Sequence, residues 1–520
     1  MSGNVIPFNQ IPPNLRVPLF YAEFDNSQAG VSQPVQRRLI IGQSTTAQPA
    51  VPVYVPSAAW AASTFGPRSQ IANAIAAYIA NDPVGELWAL PLADATGSSA
   101  ATGTVTVTGT ATAAGTLNLY IGAGPTPFSP TAQPLQVGVN VGDTATVIAG
   151  NIAAAINANT PGSPAAYLRV TATSALGVVT LTAANKGTLG NQIPVVLNYL
   201  GARGGQVVPA GITVAIAAMA GGATDPSLAT IATMLGVQPF DFIATPYSDL
   251  TNIGDTSALM SFTGGRWSYS SQIYGHVFSA HSDTLANLIT YGIGLNDPHT
   301  TIFAVNQASP TPPDIWCAAA MGQMAPSIVI QPNRPVQSLA LIGVLPAPAA
   351  NEFVFGTQQT LLSLGLAVAA RGASGVAQIV RAVTTYQTNT YGQADTSYLD
   401  TETMYLSMAI VRALQAAVTQ KFPRALLADD GARIPETPPG QTPVLLTPSI
   451  IKGEMVAQYG AMVDAGWCEN ETGFAAGLTV QRNVNDNSRV DILYDPYYVS
   501  GLRVLAVLNQ FHLQAAQAAA

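Results

Sequence analysis

Histidines are the first residues to examine for chemistry, because they are the commonest acid–base groups and metal ligands in proteins. The sequence contains four. Two of them, His276 and His281 in "YGHVFSAHS", are five residues apart on a predicted strand and its exit. Side chains alternate between the faces of a strand, so these rings point in opposite directions and do not easily share one metal ion. We predict a structural role for both.

Other motifs that could carry chemistry are incomplete. There is no G-x-S-x-G turn, P-loop or H-E-x-x-H motif. "GIGLNDP" (292–298) lacks a third glycine for a phosphate cradle, and "NVNDNSRVD" (483–491) lacks the glycine and terminal glutamate of a calcium loop, so both are predicted to be turns. "ARGASGVAQ" (370–378) is typical of a packing or interface loop, and Cys317 and Cys468 are predicted to be free, buried thiols. We predict no catalytic residue, metal site or cofactor.

The composition favours a building block over an enzyme. Charged residues make up 9% of the chain, whereas a soluble protein typically has about 25%. A surface of uncharged polar residues loses its water more cheaply when subunits pack together. The net charge is −8 with scattered basic residues, so no direct nucleic-acid binding is expected. The N-terminus has no basic n-region of a signal peptide, so no export is expected. A membrane span takes about 20 apolar residues, and the apolar stretches at 211–223 and 361–370 are too short or too rich in glycine. No direct membrane insertion is therefore expected.

Two separated segments predict one α/β sheet. Short apolar strands alternate with helix-like runs at 37–92 and again at 240–330, which is typical of a mainly parallel sheet. Between them, residues 97–223 are rich in Ala, Thr, Gly and Val, with period-two alternation in "GTVTVTGTA" and an amphipathic helix behind an Asp143 cap. We interpret this segment as an inserted strand-rich domain, with low-complexity disorder as the alternative.

A third unit begins near residue 395. Its first helix is predicted to start at a capping box, Ser397 to Asp400, and to stop at Pro423. Basic side chains collect in this unit. They belong either to a solvated face or to a charged contact with a partner, and the candidates for that contact are Arg412, Lys421, Arg424 and Lys452.

Both ends of the chain are predicted to be extended. "IPPNLRVPLFYAEFDNS" (11–27) cannot begin as a helix and has no nearby partner strand, so it joins either a distant strand of its own chain or another molecule. "GLRVLAVLNQFHL" (501–513) is apolar on both faces, as in a strand that is covered on both sides.

Five segments, spread in order over nearly the whole chain, together resemble the contractile tail sheath protein of Mu-like bacteriophages. They are "IPPNLRVPLFYAEFDNS", "RRLIIGQ", "LTAANKGTLGNQI", "FDFIATPYSD" and "VDILYDPYYVSGLRVLAVLNQFHL". The resemblance implies a subtilisin-like α/β core without protease residues. The segment most similar to the serine turn of a subtilisin is "IGDTSALM", which contains Ser257 but no Gly-Thr-Ser. No histidine precedes this segment in the chain.

The resemblance further implies a homo-oligomer that polymerises as a helical tube around an inner tail tube protein and contracts when the baseplate triggers it. Baseplate and tail terminator proteins would be further partners, with the virion tail as location and the host cytoplasm as the place of assembly. Two alternatives remain: another virion lattice component, such as a tail tube or baseplate protein, or a subtilisin-like hydrolase.

The expected fold is a catalytically inactive, mainly parallel α/β core with an inserted β-rich domain and an α+β C-terminal domain that carries extended arms. The predicted domains are an N-terminal arm at 1–25, a core at 26–96 and 224–394, an outer insertion at 97–223, a C-terminal domain at 395–487 and a C-terminal arm at 488–520. The predicted inter-subunit arm residues are Leu15, Val17, Leu19, Tyr21, Phe24, Leu502, Val504, Leu505, Val507, Leu508 and Phe511.

Overall fold

The structure, a computed structural model, describes residues 36–158, 162–433 and 445–513. The predicted N-terminal arm residues Leu15, Val17, Leu19, Tyr21 and Phe24 lie outside the described residues. The described residues from Arg37 onwards belong to one compact unit. The predicted division of this unit into domains therefore stays a prediction.

The first stretch of the chain begins the main sheet. The strand β1 is buried along its whole length, as expected of a strand that is covered on both faces. The helix that precedes β3 starts at Ser69, whose hydroxyl accepts a hydrogen bond from the Ala72 N–H, and it buries Ile71 and Ile75. The elements are β1 Arg38–Gln43, β2 Val53–Tyr54, α1 Ala58–Phe65, α2 Gln70–Asn81 and β3 Leu87–Leu92.

The next stretch is rich in strands, as its alternating Thr and Val residues predict. Its elements are β4 Thr102–Gly109, β5 Gly115–Ile121, β6 Leu135–Val139, α3 Ala145–Asn157, β7 Val170–Ala175, β8 Val178–Ala183, β9 Val195–Leu197 and β10 Ile212–Ala220. The cap of α3 was predicted wrongly. Thr144 caps the helix, and the Asp143 carboxylate instead accepts the Asn140 N–H at 2.8 Å, closing the turn before it.

The alternation of strand and helix then resumes. The elements are α4 Ile231–Leu235, β11 Phe242–Ala244, α5 Leu250–Met260, β12 His276–Asp283, α6 Leu285–Ile293, β13 Thr300–Asn306, α7 Pro313–Ile330, α8 Phe355–Ser363, β14 Leu366–Arg371 and β15 Ala377–Arg381. Helix α7 packs against α2 and is buried along most of its length. A helix without a polar face belongs inside the protein.

The last stretch contains two long helices and short strands. The elements are α9 Thr401–Lys421, β16 Leu426–Leu427, β17 Leu445–Leu446, α10 Pro448–Asp464, β18 Cys468–Glu469, α11 Glu471–Gly477, β19 Thr479–Arg482, β20 Val490–Leu493 and β21 Tyr497–Tyr498. The predicted start of α9 at a Ser397 cap is wrong. The N-cap is Asp400, whose side chain makes no capping bond, because Arg381 binds that carboxylate at 2.8 and 3.0 Å.

The eight-stranded sheet has the order β15-β14-β13-β12-β11-β1-β3-β2. Five neighbouring pairs are parallel, and the two outermost pairs, β14–β15 and β2–β3, are antiparallel. This confirms the prediction of a mixed α/β fold with a mainly parallel sheet. The sheet takes its strands from 38–92 and 242–381, on either side of the strand-rich stretch.

The strand-rich stretch between β3 and β11 forms antiparallel sheets of its own, β10-β4-β8-β7 and β6-β5-β9. One hydrophobic cluster lies within it and takes its buried residues only from 101–219. Helix α3 contributes Ile148, Ile152 and Ile156 to that cluster. Regular strands around a common core rule out low-complexity disorder for this part of the chain.

Candidate assembly interface

One serine and one histidine do meet in the structure, at a place the sequence did not reveal. Ser248 Oγ lies 2.8 Å from Nδ1 of His281, whose ring stacks on Tyr291 with centroids 4.1 Å apart. Ser248 is buried, and no carboxylate contacts this ring among the described residues. A serine nucleophile must reach its substrate and needs a base that a third group orients. Ser257, the serine of "IGDTSALM", lies within helix α5. Neither serine can act as a protease nucleophile here.

His276 joins strands and a helix. Its Nε2 lies 2.8 Å from Thr301 Oγ1, which lies 2.7 Å from Thr401 Oγ1 on α9. Burial lowers the pKa of His276 to about 3, so the ring is neutral in the folded protein. These contacts agree with the structural role predicted for it.

The remaining chemical candidates are structural too. Cys317 and Cys468 are free and buried, as predicted, and burial raises both thiol pKa values, that of Cys468 to about 11. The segment 483–491 is mostly the turn between β19 and β20. In the described part of the chain, no group of three or more His, Cys, Asp and Glu residues is arranged to hold a metal ion. Within the same residues, no helix is both long and apolar enough to cross a bilayer.

The C-terminal run is the most unusual surface of the described chain. From residue 499 to 513 it forms no helix or strand. Seven of its large apolar side chains are 69–84% exposed: Leu502, Val504, Leu505, Val507, Leu508, Phe511 and Leu513. A soluble monomer rarely exposes so many contiguous apolar groups, and such a patch marks an interaction site. The strand that the sequence predicts has no partner strand within the described residues of the single chain.

The four basic residues that are candidates for a charged contact with a partner lie in different environments. Arg412 contacts the buried Asp241 at 2.5 Å and lies over the Tyr274 ring, so it ties α9 to the start of β11. Lys421 pairs with Glu454 of α10 at 2.7 Å. Arg424 is exposed and Lys452 half-buried, and neither forms an ion pair within the described residues. Arg424 and Lys452 are therefore the most available for a partner.

Two buried ion pairs were missed by the sequence reasoning. Arg169 in the strand-rich stretch binds Asp314 of α7, and Arg503 at the base of the C-terminal run contacts Glu402 of α9. The partners are 145 and about 100 positions apart, so spacing could not pair them. One signal was available: Arg169 is among the very few charged residues in 97–223.

Comparison with known proteins identifies the family to which this chain belongs. The family model "Phage tail sheath C-terminal domain" matches residues 393–512, which include α9 to α11 and the C-terminal run. The chain is also 34% identical over 513 residues to the Mu-like prophage FluMu tail sheath protein of Haemophilus influenzae, covering 98% of this chain and all of that protein. The chain belongs to the family of Mu-like phage tail sheath proteins. The predicted family, the tail sheath subunit and its place in a phage or prophage tail are thereby confirmed, and this is a structural family and not an enzymatic one.

Two solved structures are more distant. The sheath tail protein of Listeria innocua is 12% identical, with 91% of this chain and 94% of that chain covered and a TM-score of 0.44. The helical sheath of the anti-feeding prophage in its contracted state is 11% identical, with 95% and 99% covered and a TM-score of 0.45. The family assignment rests on the Haemophilus relative.

Proposed function

We propose that this sheath subunit polymerises through extended terminal arms into a helical tube around an inner tail tube, and that the tube contracts to drive the inner tube through the host envelope. The observation that carries this proposal is the C-terminal run, whose apolar side chains are 69–84% exposed. A neighbouring subunit that adds a strand would bury these side chains and satisfy the backbone groups of the run.

The arms are proposed to be intermolecular at both ends of the chain. Strand addition depends on backbone hydrogen bonds and tolerates varied side chains. Each such bond contributes about 0.5–1.5 kcal/mol net, so one arm makes a modest link that a lattice repeats many times. The N-terminal arm at 1–25 would supply the second strand. Baseplate and tail terminator proteins would bind the two ends of the polymer.

The body of the subunit is proposed to be a subtilisin-like core, 26–96 and 224–394, that carries no protease site. Its support is the mainly parallel sheet together with the Ser248–His281 contact, in which the serine is buried and no carboxylate among the described residues pairs with the histidine. On this proposal the insertion 97–223 faces outward, and the C-terminal unit, 395–487, faces the inner tube with some of Arg412, Lys421, Arg424 and Lys452. No nucleotide is hydrolysed, and the free energy for contraction is stored when the extended sheath assembles.

Proline substitution tests the arm directly. Val504 and Val507 are an odd number of residues apart, so in a strand their N–H groups point to opposite edges. Proline at both positions removes a donor from whichever edge pairs with the neighbour. We expect Val504→Pro with Val507→Pro to give a folded, monomeric protein with a normal melting transition.

The matched control replaces the same two valines by threonine, which keeps both N–H groups and a β-branched side chain. The threonine variant should form tubes that are visible by negative-stain microscopy. Deleting residues 1–24 should also leave a folded monomer. Ordered tubes of normal length from the proline variant or from the deletion variant would refute intermolecular arms.

A further inference from the structure

The base of the C-terminal run is fixed to the body of the subunit by a cluster of four charges. Arg503 contacts Glu402 at 2.9 Å and Asp400 at 3.5 Å. Arg381 binds the same Asp400 carboxylate through two hydrogen bonds. The cluster thus contains two arginines and two carboxylates, so its positive and negative groups are equal in number. We name these four residues, Arg381, Asp400, Glu402 and Arg503, the arm-root cluster.

Burial makes the arm-root cluster a specific attachment. The Arg503 side chain is only 13% exposed, whereas both of its neighbours, Leu502 and Val504, are at least 69% exposed. Glu402 is almost fully buried and also accepts the Val336 N–H at 2.8 Å. Charge-assisted hydrogen bonds and ion pairs are strongest where water is excluded. Arg503 therefore turns inward, whereas Leu502 and every residue from 504 to 513 are exposed.

Backbone contacts continue this attachment on the N-terminal side of Arg503. Asn333 Nδ2 donates to the Val499 carbonyl at 3.2 Å, and Gln337 Nε2 lies 3.5 Å from the Leu502 carbonyl. Gly501 passes so close to Pro335 that a Cβ there would collide with the proline ring. Residues 499–503 thus lie along the loop that carries Asn333 to Gln337. From 504 to 513 the run makes no hydrogen bond or ion pair with the rest of the described chain.

We propose that Arg503 is the positioning residue of the C-terminal arm: the arm-root cluster is the pivot from which the arm leaves the subunit, and it sets how far the arm reaches to the next one. This inference rests on the proposed intermolecular role of the arm. At about 3.3 Å per extended residue, 504–513 spans about 33 Å. If the pivot were lost, Val499 would still be held by its hydrogen bonds to Trp467 and Asn333. The four residues 500–503 would be freed and would add about 13 Å of slack.

Slack weakens assembly because more backbone must be ordered when the neighbour binds. Ordering a single residue costs enough free energy to lower an association constant about tenfold. A fixed pivot removes that cost in advance and directs each arm toward the same neighbour, which is the general benefit of preorganisation. The arm-root cluster therefore acts on assembly through the arm and not through a contact with the partner.

The test measures the mobility of the arm root and the assembly of the same variant. Both native cysteines are buried, so a spin label on Val504→Cys reports only on the arm root, and one on Phe511→Cys reports on the free end. In the monomeric variant that lacks residues 1–24, Arg503→Gln should mobilise the label at 504 and leave the label at 511 unchanged. Unlabelled Arg503→Gln should need at least about tenfold more protein to form tubes. Arg503→Lys, which keeps the charge, should restore part of both properties.

Different results would contradict the role of Arg503 and the intermolecular role of the arm. Because Arg503→Gln leaves Glu402 without its partner, the double variant Arg503→Gln with Glu402→Gln keeps the test valid if the single variant does not fold. An unchanged label at 504, or tube formation at the native concentration, overturns the role of Arg503 if the proline variant of the arm is still monomeric. Normal tubes from the proline variant would instead overturn the proposed function itself.

Discussion

Replacing Arg169 by methionine should destabilise the folded subunit by about 3–5 kcal/mol, because it strands a buried carboxylate. One guanidinium nitrogen, Nη1, lies 2.8 and 2.9 Å from the two oxygens of Asp314, and the two side chains are only 5% and 3% exposed. Gln70 Nε2 also donates to Asp314 at 3.0 Å. Methionine fills a similar volume but cannot neutralise Asp314, so the cost is that of an unpaired buried charge.

A second substitution measures how much of this cost belongs to the pair. Asp314→Asn removes the negative charge and keeps a carbonyl oxygen that can accept from Gln70. The double variant, Arg169→Met with Asp314→Asn, should therefore recover stability to within about 1 kcal/mol of the native protein, because replacing both partners of a buried pair is often nearly neutral. The coupling energy from the double-mutant cycle should be at least about 2–4 kcal/mol, and larger by whatever Asp314→Asn costs alone, because that variant leaves the buried Arg169 without its carboxylate.

Urea unfolding of the monomeric proline variant of the arm, followed by tryptophan fluorescence, gives the measurement. All five tryptophans lie outside 97–223, and the buried Trp316 is two residues from Asp314. The signal therefore follows the core and its contact with the insertion. A loss below about 1 kcal/mol for the single variant, or a double variant as unstable as the single one, would refute the reasoning from burial.

Three more outcomes are expected. Replacing 97–223 by a short Gly/Ser linker, together with Asp314→Asn so that no buried charge is stranded, should give soluble protein that still forms tubes; soluble protein without tubes would contradict a peripheral insertion. Reversing Arg424 and Lys452 to glutamate should weaken sheath assembly on isolated tail tubes, most visibly at low salt, and unchanged assembly would exclude their role. The free energy of unfolding should fall as the pH drops from about 6.5 toward 3, by up to about 1.4 kcal/mol per pH unit from His276, because the pKa of His276 is lowered in the folded protein and the unfolded chain binds the proton first. The pKa of His281 is also lowered and acts in the same direction. His276→Gln should therefore flatten the curve of urea midpoint against pH.

The sequence predicted the parts of the fold that depend on local pattern. The alternation of apolar strands and helix-like runs at 37–92 and 240–330 indicated a mainly parallel sheet, and β1, α2, β3, β12 and β13 lie within these ranges. These signals are strong because period and burial are properties of a short segment. The order of the strands in the sheet was not predictable in this way, since β1 pairs with β11 about 200 positions away.

The predicted N-terminal caps of helices α3 and α9 were wrong because local preference does not fix which group a side chain binds. Asp143 and Ser397 both carry side chains that favour helix starts, yet Asp143 closes a turn and Ser397 lies in the loop before Asp400. Side chains of this kind can bond to several nearby backbone groups, so local preference does not decide among them. At Asp400, tertiary contacts decide: two arginines, from positions 381 and 503, draw its carboxylate away from the helix.

The candidate interface was only partly visible for a physical reason. Apolar periodicity on both faces of 501–513 indicated a strand that is covered twice, but a single chain can show only the uncovered run. The buried pairs Arg169–Asp314 and Arg503–Glu402 connect distant segments, and no sequence spacing encodes them. They became identifiable only once the fold had brought the segments together.

The energetics of the proposed intermolecular C-terminal arm explain why a fixed root would matter. Ordering the ten residues 504–513 costs about 10–20 kcal/mol in backbone entropy. Burying the six exposed apolar side chains of 504–513 against neighbours contributes about 1.5–3 kcal/mol each, and the backbone ladder adds about 0.5–1.5 kcal/mol per bond. The two sides nearly balance, so one arm binding one neighbour is a marginal contact. Four further disordered residues at the root, 500–503, would cost about 4–8 kcal/mol more and make the association unfavourable. A sheath built from such arms therefore needs each one anchored at its base, and Arg503 supplies the anchor.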